Sequence, residues 1–252
     1  MTFFQAENLA INFGGIRAVD NVSFAVQKGE VFTIIGPNGA GKTTIFNLIS
    51  RIYQPSAGRL LFEGRDITAT PPHRIAELGI ARTFQNIELF EYASVLQNLL
   101  LGRHAHKRSG FLEEILFLPK VRRLELEHRE AVEKVIDFLD LQPYRDSLIV
   151  NLPYGVRKVV ELARALCTEP RLLLLDEPSS GLNVEETQDM AFWIQDIKDL
   201  LGITVLMVEH DMTLVSAVSD RVLALSNGRP LALGTAAEVQ ANADVIAAYL
   251  GS

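Results

Sequence analysis

The clearest chemical pattern in the sequence is a glycine-rich segment, GPNGAGKTT, which separates an apolar run, VFTIIG, from a stretch of helical character, IFNLISRIY. Glycines let backbone N–H groups face an anion, and the N-terminus of the following helix adds partial positive charge. The spacing G-x-x-x-x-G-K-[ST] therefore predicts a loop that binds nucleotide phosphates. Its predicted binding residues are Gly36, Asn38, Gly39, Ala40, Gly41, Lys42, Thr43 and Thr44.

Two side chains of this loop have predicted roles. Lys42 is expected to reach the β- and γ-phosphates, and the hydroxyl of Thr43 is expected to ligate Mg²⁺. The segment predicts a nucleotide and a magnesium ion as its ligands.

A pair of acidic residues follows a second apolar run, LLLL, at Asp176 and Glu177. Ligands of parallel sheets bind outside the carboxyl ends of the strands, so Asp176 is predicted to lie near the Mg²⁺. Glu177 is predicted to reach the far side of the γ-phosphate, where a general base would activate the attacking water. The alternative is that the two carboxylates only cap a surface turn.

The elements that must position these residues alternate between strand and helix, which predicts a parallel sheet. Two alternating stretches at the start, FFQAENLAINF and NVSFAVQKG, predict a half-exposed antiparallel sheet. GRLLFEGRDI predicts a further strand with a turn at Glu63 and Gly64, and VLALSNGRPLAL a hairpin with its turn at Asn227 and Gly228.

Between about Asn86 and Val150 the pattern is helical, with the segments SVLQNLLLG, GFLEEILFL and RRLELEHREAVEKVIDFLDL. We also expect a helix over PPHRIAELG, capped by Thr70 and with Pro71 at its first position. Another is expected over VEETQDMAFWIQDIKDLLG, with Trp193, Ile197, Leu200 and Leu201 on its apolar face. Thr235 and Glu238 predict a capping box for a last helix that runs to AAYLGS.

The composition narrows the class of protein. The chain has 252 residues, a net charge of −7 and one cysteine, Cys167, which is expected to be buried and to suit a reducing cytoplasm. The acidic balance argues against a nucleic-acid partner. The N-terminal residues lack the pattern of a signal peptide, and the apolar runs are too short to span a bilayer. We expect a soluble chain that a partner holds if it works at a membrane.

Further motifs follow the phosphate loop in a fixed order: Gln85 in RTFQN, a glycine turn in LPYGV, LLLLDEP, the segment Ser180 to Asn183, and His210 in MVEHD. With these motifs the chain resembles the ATP-binding subunits of ABC transporters over nearly its whole length. The resemblance implies an α/β fold, a P-loop (RecA-like) parallel-sheet core with an N-terminal antiparallel β subdomain and a helical subdomain insertion. In this single ABC ATPase domain it places the antiparallel β subdomain and the phosphate-loop part of the core at residues 1–85. The helical subdomain with the glycine turn would comprise 86–165, and the rest of the core with the C-terminal helix 166–252.

The resemblance also implies roles for residues outside the phosphate loop. Gln85 would sense Mg²⁺ and the attacking water and couple them to the membrane subunits, and His210 would contact the γ-phosphate of ATP. Phe13 would stack on adenine, although packing within its strand is an alternative. Asp176, Thr43 and Gln85 would hold Mg²⁺, partly through water.

The glycine turn would act in trans on the ATP of a second subunit, so that two such domains close head-to-tail around two ATP molecules. The usual sequence of this signature is LSGGQ, and here Pro153, Tyr154 and Gly155 occupy its second to fourth positions. The serine hydroxyl is absent and proline has no N–H. One hypothesis is a weakened ATP site in an asymmetric heterodimer; the other is that Gly155 and the helix N-terminus suffice.

A narrower resemblance, in RTFQNIELF, LPYGV, MVEHDM and VIAAYLGS, is to one of the two ATPase subunits of branched-chain amino-acid importers. It implies a second ABC ATPase subunit, two transmembrane permease subunits and, indirectly, an extracytoplasmic solute-binding protein as partners. The chain would then be peripheral, at the cytoplasmic face of the inner membrane. Relatives in this group move other amino acids, urea, amides or aromatic acids, and these substrates remain open.

Two other classes of function remain as alternatives. A soluble ABC ATPase of ribosomes or DNA repair usually has two cassettes or a long coiled-coil insertion, and neither is present here. A non-hydrolysing, nucleotide-dependent assembly module would not need Glu177 and His210.

Overall fold

The computed structural model describes residues 2–85, 87–103 and 119–250, and the predicted helix GFLEEILFL lies outside these ranges. The chain divides into two compact units. The first unit comprises Met1–Gln85 and Arg171–Ser252, and the second comprises Asn86–Pro170.

The described strands all belong to the first unit and form two sheets. They are β1 (Thr2–Phe13), β2 (Ile16–Gln27), β3 (Val31–Ile35), β4 (Ala57–Phe62), β5 (Arg65–Asp66), β6 (Ile80–Arg82), β7 (Leu172–Asp176), β8 (Thr204–Val208), β9 (Arg221–Ser226) and β10 (Arg229–Gly234).

The first sheet is antiparallel and has the order β2-β1-β4-β5. Its strands alternate between buried and exposed side chains, as the sequence pattern predicts. The turn between β4 and β5 is formed by Glu63 and Gly64, whose φ angles of 50° and 76° are both left-handed. The predicted antiparallel start and the predicted turn are therefore both present.

The second sheet has the order β10-β9-β3-β8-β7-β6, and only the edge pair β10–β9 is antiparallel. Every residue of β3, β7 and β8 is buried, which explains why these strands read as continuous apolar runs. Strand β6 was not predicted, because three residues are too few to show a periodicity.

The core of the first unit joins the two sheets. Phe4 and Phe24 of the antiparallel sheet and Phe32 of β3 belong to one buried cluster. The rings of Phe24 and Phe32 stack with their centroids 5.4 Å apart. This cluster fixes β3, and with it the loop that follows, against the antiparallel sheet.

The described helices connect these strands and build the second unit. They are α1 (Lys42–Ile49), α2 (Val95–Gly102), α3 (Pro119–Phe138), α4 (Tyr154–Leu166), α5 (Val184–Asp199), α6 (Met212–Val218), α7 (Ala236–Gln240) and α8 (Ala243–Leu250).

The predicted helix over PPHRIAELG is wrong in type and in start. The segment forms two short 3-10 turns, Pro72–Arg74 and Ala76–Leu78, and Pro71 is an extended N-cap with ψ of 144°. The physical reason is that a residue before proline is pushed out of the helical region, so Pro72 prevents Pro71 from starting the helix.

Two other helix predictions need correction. The C-terminal segment forms two helices, because the side chain of Asn242 accepts from the N–H groups of Asp244 and Val245 and so starts α8 anew. In α5 the buried residues include Ile197, whereas Leu200 and Leu201 are exposed because the helix ends at Asp199.

Within the second unit, Cys167 is buried as predicted, and burial raises the pKa of its thiol to about 12. The guanidinium of Arg103 donates to the carbonyl oxygen of Cys167 over 3.0 Å. This contact ties the end of α2 to the end of α4.

Candidate functional site

The predicted phosphate loop connects β3 to α1, at the carboxyl end of a central parallel strand. A Cβ at Gly36 would lie 2.4 Å from the carbonyl oxygen of Leu225, and one at Gly41 would lie 2.5 Å from that of Ala18. Gly41 also has a φ of 98°. The loop therefore packs so closely that only glycine fits at these two positions, and the backbone keeps the open curve that an anion requires.

Lys42 is almost fully buried and is held by the loop itself. Its Nζ donates to the carbonyl oxygens of Gly36, over 2.6 Å, and of Pro37, over 3.1 Å. Burial lowers the pKa of Lys42, and the negative charges of Glu177, Asp176 and Glu209 oppose this shift. Next to it Thr43 is exposed and Thr44 half-buried, and Asn38 and Gly39 are exposed at the crest of the loop.

Asp176 ends β7 and is 2% exposed. Its Oδ2 accepts from Nη2 of Arg82 over 2.7 Å, whereas its Oδ1 has no hydrogen-bond partner among the residues that the structure describes. A buried carboxylate oxygen without a partner is costly, by about 1–3 kcal/mol or more. The arrangement fits a magnesium ion or a water bound to it.

Glu177 lies beside two of the other predicted residues. Nε2 of Gln85 donates to Oε2 of Glu177 over 2.9 Å, and Nδ1 of His210 lies 3.8 Å from the same oxygen. The backbone of Glu177 has a φ of 49°, and its N–H donates to the carbonyl of Val208 on the neighbouring strand. The structure thus brings together three residues that are distant in sequence.

A buried carboxylate that the sequence interpretation missed supports His210. Glu209 is fully buried, and its Oε2 accepts from the backbone N–H groups of His210, over 2.6 Å, and Asp211, over 3.0 Å. Its Oε1 accepts from both the N–H and the hydroxyl of Ser179. Glu209 therefore joins the loop after β7 to the loop after β8.

Phe13 is 44% exposed at the end of β1, and its ring meets that of Tyr53 edge-on with a centroid distance of 5.1 Å. The N–H of Tyr53 donates to the carbonyl of Asn47 in α1. An exposed aromatic face beside the helix of the phosphate loop suits an adenine ring.

The glycine turn lies in the second unit and begins α4. Pro153 is the N-cap, with no side-chain hydrogen bond to the helix; Pro153 and Tyr154 are exposed, and Gly155 is buried. The guanidinium of Arg157 donates to the carbonyl oxygens of Leu152 and Val150, each over 2.8 Å. Arg157, the residue that follows LPYGV, thereby holds the turn in place.

Two further contacts with the site were missed. Arg82 pairs with Asp176, and the only sequence signal was a charged residue inside a short apolar stretch. Tyr249 of α8 accepts a hydrogen bond from the N–H of Gly36, which opposes the rise in its pKa caused by burial. No local sequence pattern connects the two members of either pair, because they are far apart in the sequence.

Known proteins that are similar to this chain share this architecture. The sequence profile of the ABC transporter family matches residues 19–180. The chain belongs to the ABC transporter family. A second profile, for the branched-chain amino acid ATP-binding cassette transporter, matches residues 229–252 of this ABC cassette.

Relatives of the cassette are similar over nearly their full lengths. It is 40% identical to the high-affinity branched-chain amino acid transport ATP-binding protein BraF of Pseudomonas aeruginosa, over 98% of this chain and 97% of that protein. It is 38% identical to the high-affinity branched-chain amino acid transport ATP-binding protein LivG of Escherichia coli K12, again over 98% of this chain and 97% of that protein.

Among solved structures, the ADP conformation of MJ1267, an ATP-binding cassette of an ABC transporter, is similar with a TM-score of 0.87. That structure is 33% identical and the match covers 100% of both chains. The chain is an ABC ATPase of α/β fold. No helix in the described ranges is long and apolar enough to cross a membrane.

Proposed function

We propose that this chain is the ATP-hydrolysing subunit that powers an ABC importer for branched-chain or related amino acids. The observation that carries the proposal is the convergence of Lys42, Asp176, Glu177, Gln85 and His210 on the carboxyl edge of one parallel sheet. Ligands of such sheets bind at this edge.

The phosphate loop from Gly36 to Thr44 would bind the nucleotide. Its backbone N–H groups would receive the phosphates, and Lys42 would exchange its two loop carbonyls for β- and γ-phosphate oxygens. Phe13 would offer its exposed ring to adenine. The N–H groups of the first turn of α1 add the partial positive charge of a helix N-terminus.

Thr43, Asp176 and Gln85 would hold the magnesium ion, partly through water. When bound, Mg²⁺ neutralises charge on the phosphate oxygens. The partnerless Oδ1 of Asp176 and the exposed hydroxyl of Thr43 are oxygen donors of the kind that Mg²⁺ prefers.

Glu177 would accept the proton of the attacking water, because its carboxylate accepts a hydrogen bond from Gln85 and lies 3.8 Å from Nδ1 of His210 at the carboxyl edge of the sheet. Gln85 would orient the water and report its presence to the second unit, whose sequence begins immediately after it. His210 would contact the γ-phosphate. The positive φ of Glu177 is a strain of the kind found at functional sites.

The working assembly would contain two cassettes. Pro153, Tyr154 and Gly155 at the start of α4 would face the ATP of the second ABC ATPase subunit. The helical part, 86–165, would transmit the closing and reopening of the two cassettes to two transmembrane permease subunits. The segments 1–85 and 166–252 would bind and hydrolyse the ATP. This chain would lie at the cytoplasmic face of the membrane, and the solute-binding protein would act from the other side.

The substrate class comes from the names of the relatives and from the profile match at residues 229–252. Because permeases and solute-binding proteins select the solute, related cassettes for urea, amides or aromatic acids remain the second candidate. A soluble cassette without a permease is a third candidate, which no observation favours.

The experiment is to purify the affinity-tagged chain with its copurifying subunits from its own cells and to reconstitute the complex in liposomes. We expect ATP-dependent uptake of leucine, isoleucine or valine that Lys42→Ala abolishes. Uptake of urea or an amide alone would correct the substrate. A tagged chain that never copurifies with a membrane protein would contradict the transport proposal.

A further inference from the structure

An arginine with a nearly buried side chain lies next to the proposed magnesium site and has no role in the functions described above. Arg82 is the last residue of β6, and its side chain is 8% exposed. Its Nη2 donates to Oδ2 of Asp176 over 2.7 Å. Its Nη1 donates to Oδ1 of Asn47 in α1 over 2.7 Å and to Oγ of Ser50, the residue that follows α1, over 2.8 Å.

The guanidinium also packs against two aromatic rings. Its carbon lies 5.6 Å from the ring centroid of Phe46 in α1 and 5.2 Å from that of Phe84, the residue before Gln85. Arg82 is therefore held by α1, which begins in the phosphate loop, and by the segment that leads to Gln85. Both α1 and the segment that leads to Gln85 are far from Asp176 in the sequence.

A buried ion pair of this kind is weak evidence for a contribution to stability, because desolvation of both charges offsets their attraction. The pairing has a definite geometric consequence instead. Nη2 of Arg82 occupies one oxygen of Asp176 and restrains the orientation of the carboxylate. The other oxygen, Oδ1, is left without a partner among the described residues.

We propose that Arg82 is a positioning residue for the magnesium ion of the ATPase site: it orients Asp176 so that Oδ1 faces the metal, and its anchors on α1 keep this orientation in register with the phosphate loop. The inference rests on the proposed function as a Mg²⁺-dependent ATPase. Groups that orient a metal ligand typically change metal affinity or activity by about 10–100-fold when they are removed.

The test uses the purified full chain, a fluorescent ATP analogue, and magnesium or manganese chloride as the metal. Arg82→Lys keeps the charge but loses the planar guanidinium, and Arg82→Met removes the charge. We expect both variants to need about 10-fold more metal for half-maximal nucleotide binding. Free Mn²⁺, followed by electron paramagnetic resonance, should show the same shift, while nucleotide affinity in EDTA should change less than about threefold, since the phosphate loop is intact.

Arg51→Lys is the matched control. Arg51 is also a buried arginine beside α1, but it donates to the carbonyl oxygens of Thr70 and Tyr53 and not to a site carboxylate. We expect its loss to lower thermal stability without changing the metal concentration for half-maximal binding. An equal shift in Arg51→Lys would overturn the proposal, because general loosening would then explain the effect.

A double variant, Asn47→Ala with Ser50→Ala, keeps Arg82 and Asp176 and removes both acceptors of Nη1, together with the hydrogen bond from Oγ of Ser50 to the carbonyl oxygen of Phe46. We expect a smaller shift in the same direction, and this variant decides the matter if Arg82→Met does not fold. Unchanged metal dependence in Arg82→Lys and in the double variant would overturn the inference while leaving the proposed function intact. A parent chain that binds nucleotide without any dependence on metal would instead contradict the proposed function.

Discussion

At the residue scale the site depends on carboxylates that are held in different ways. Asp176 is buried with one oxygen paired, Glu177 is placed by a left-handed backbone, and Glu209 is fully buried with both oxygens satisfied. These differences assign different tasks to three acidic residues within one site. In the proposed function the first would ligate the metal and the second would activate a water, whereas the third contacts its protein neighbours.

The Glu209→Gln variant tests the structural task of Glu209. An amide would direct its N–H₂ group at backbone or side-chain donors, so hydrogen bonds to a charged acceptor would be lost at a cost of about 3 kcal/mol. We expect a lower free energy of unfolding, together with slower ATP hydrolysis because His210 loses its support. Urea denaturation and steady-state ATPase assays measure the two effects.

Glu238→Gln is the matched control, because Glu238 also accepts from a backbone N–H but lies exposed at the start of α7. Its loss should cost about 1 kcal/mol or less and leave hydrolysis unchanged. If the two variants lowered hydrolysis equally, the link from Glu209 to His210 would be refuted.

The sequence predicted residues of the site where a local signal exists. Lys42 follows from the glycine spacing, and Asp176 and Glu177 follow from their place at the end of an apolar strand. Arg82 and Glu209 were missed because their partners, Asp176 and Ser179, come from other segments of the chain. Long-range pairs of this kind become visible only when the sheet order is known.

At the scale of elements, the phosphate loop depends on close packing at some glycines and not at others. Gly41 has a φ of 98° and its added Cβ would meet a backbone oxygen at 2.5 Å. Gly39 has a φ of 80°, but no atom lies within 4 Å of its added Cβ. The two positions share backbone strain and differ in the space available.

We therefore expect Gly39→Ala to cost about 1–2 kcal/mol, the penalty of a left-handed non-glycine residue. Gly41→Ala should cost clearly more, because the carbonyl of Ala18 must also move. Urea denaturation of both variants measures the difference. Equal free energies of unfolding would mean that the contact at Gly41 is relieved without cost.

Helices and strands were predictable where a capping or turn motif marks the end of a segment whose apolar residues recur at the spacing of a helix or a strand. The capping box of Thr235 and Glu238 and the hairpin turn at Asn227 and Gly228 are present as predicted. Two helix predictions were wrong for local reasons. Pro72 keeps Pro71 out of the helical conformation, and the side chain of Asn242 caps a new helix within the predicted last one. The strand at Ile80–Arg82 is defined by its partner β7 and not by its own residues.

At the scale of the whole molecule, the glycine turn raises the question of symmetry between two ATP sites. Pro153 supplies neither a hydroxyl nor an N–H, and Arg157 donates to the carbonyl oxygens of Leu152 and Val150, which precede it. Loss of one donor to a charged acceptor costs about 1.5–3 kcal/mol. In a head-to-tail heterodimer this loss would fall on the partner's ATP and not on the ATP bound by this chain.

We expect Lys42→Ala to remove most of the ATPase activity of the complex and the equivalent change in the partner cassette to remove little. Pro153→Ser should raise the contribution of the partner's site. Steady-state hydrolysis by the four purified complexes, including the parent, gives the comparison. Equal losses from the two lysine changes would sink the asymmetry hypothesis and favour a turn that works without serine.

The central claim is that this chain hydrolyses ATP with Glu177 as the general base. Its most direct test is Glu177→Gln, which keeps the size of the side chain and removes the base. With the complex purified alongside its partners, the ATP turnover assigned to this chain's site should fall by at least about 100-fold. ATP affinity should stay within about threefold of the parent, since Lys42 and the phosphate loop are unchanged. Turnover at the parental rate would contradict the assignment.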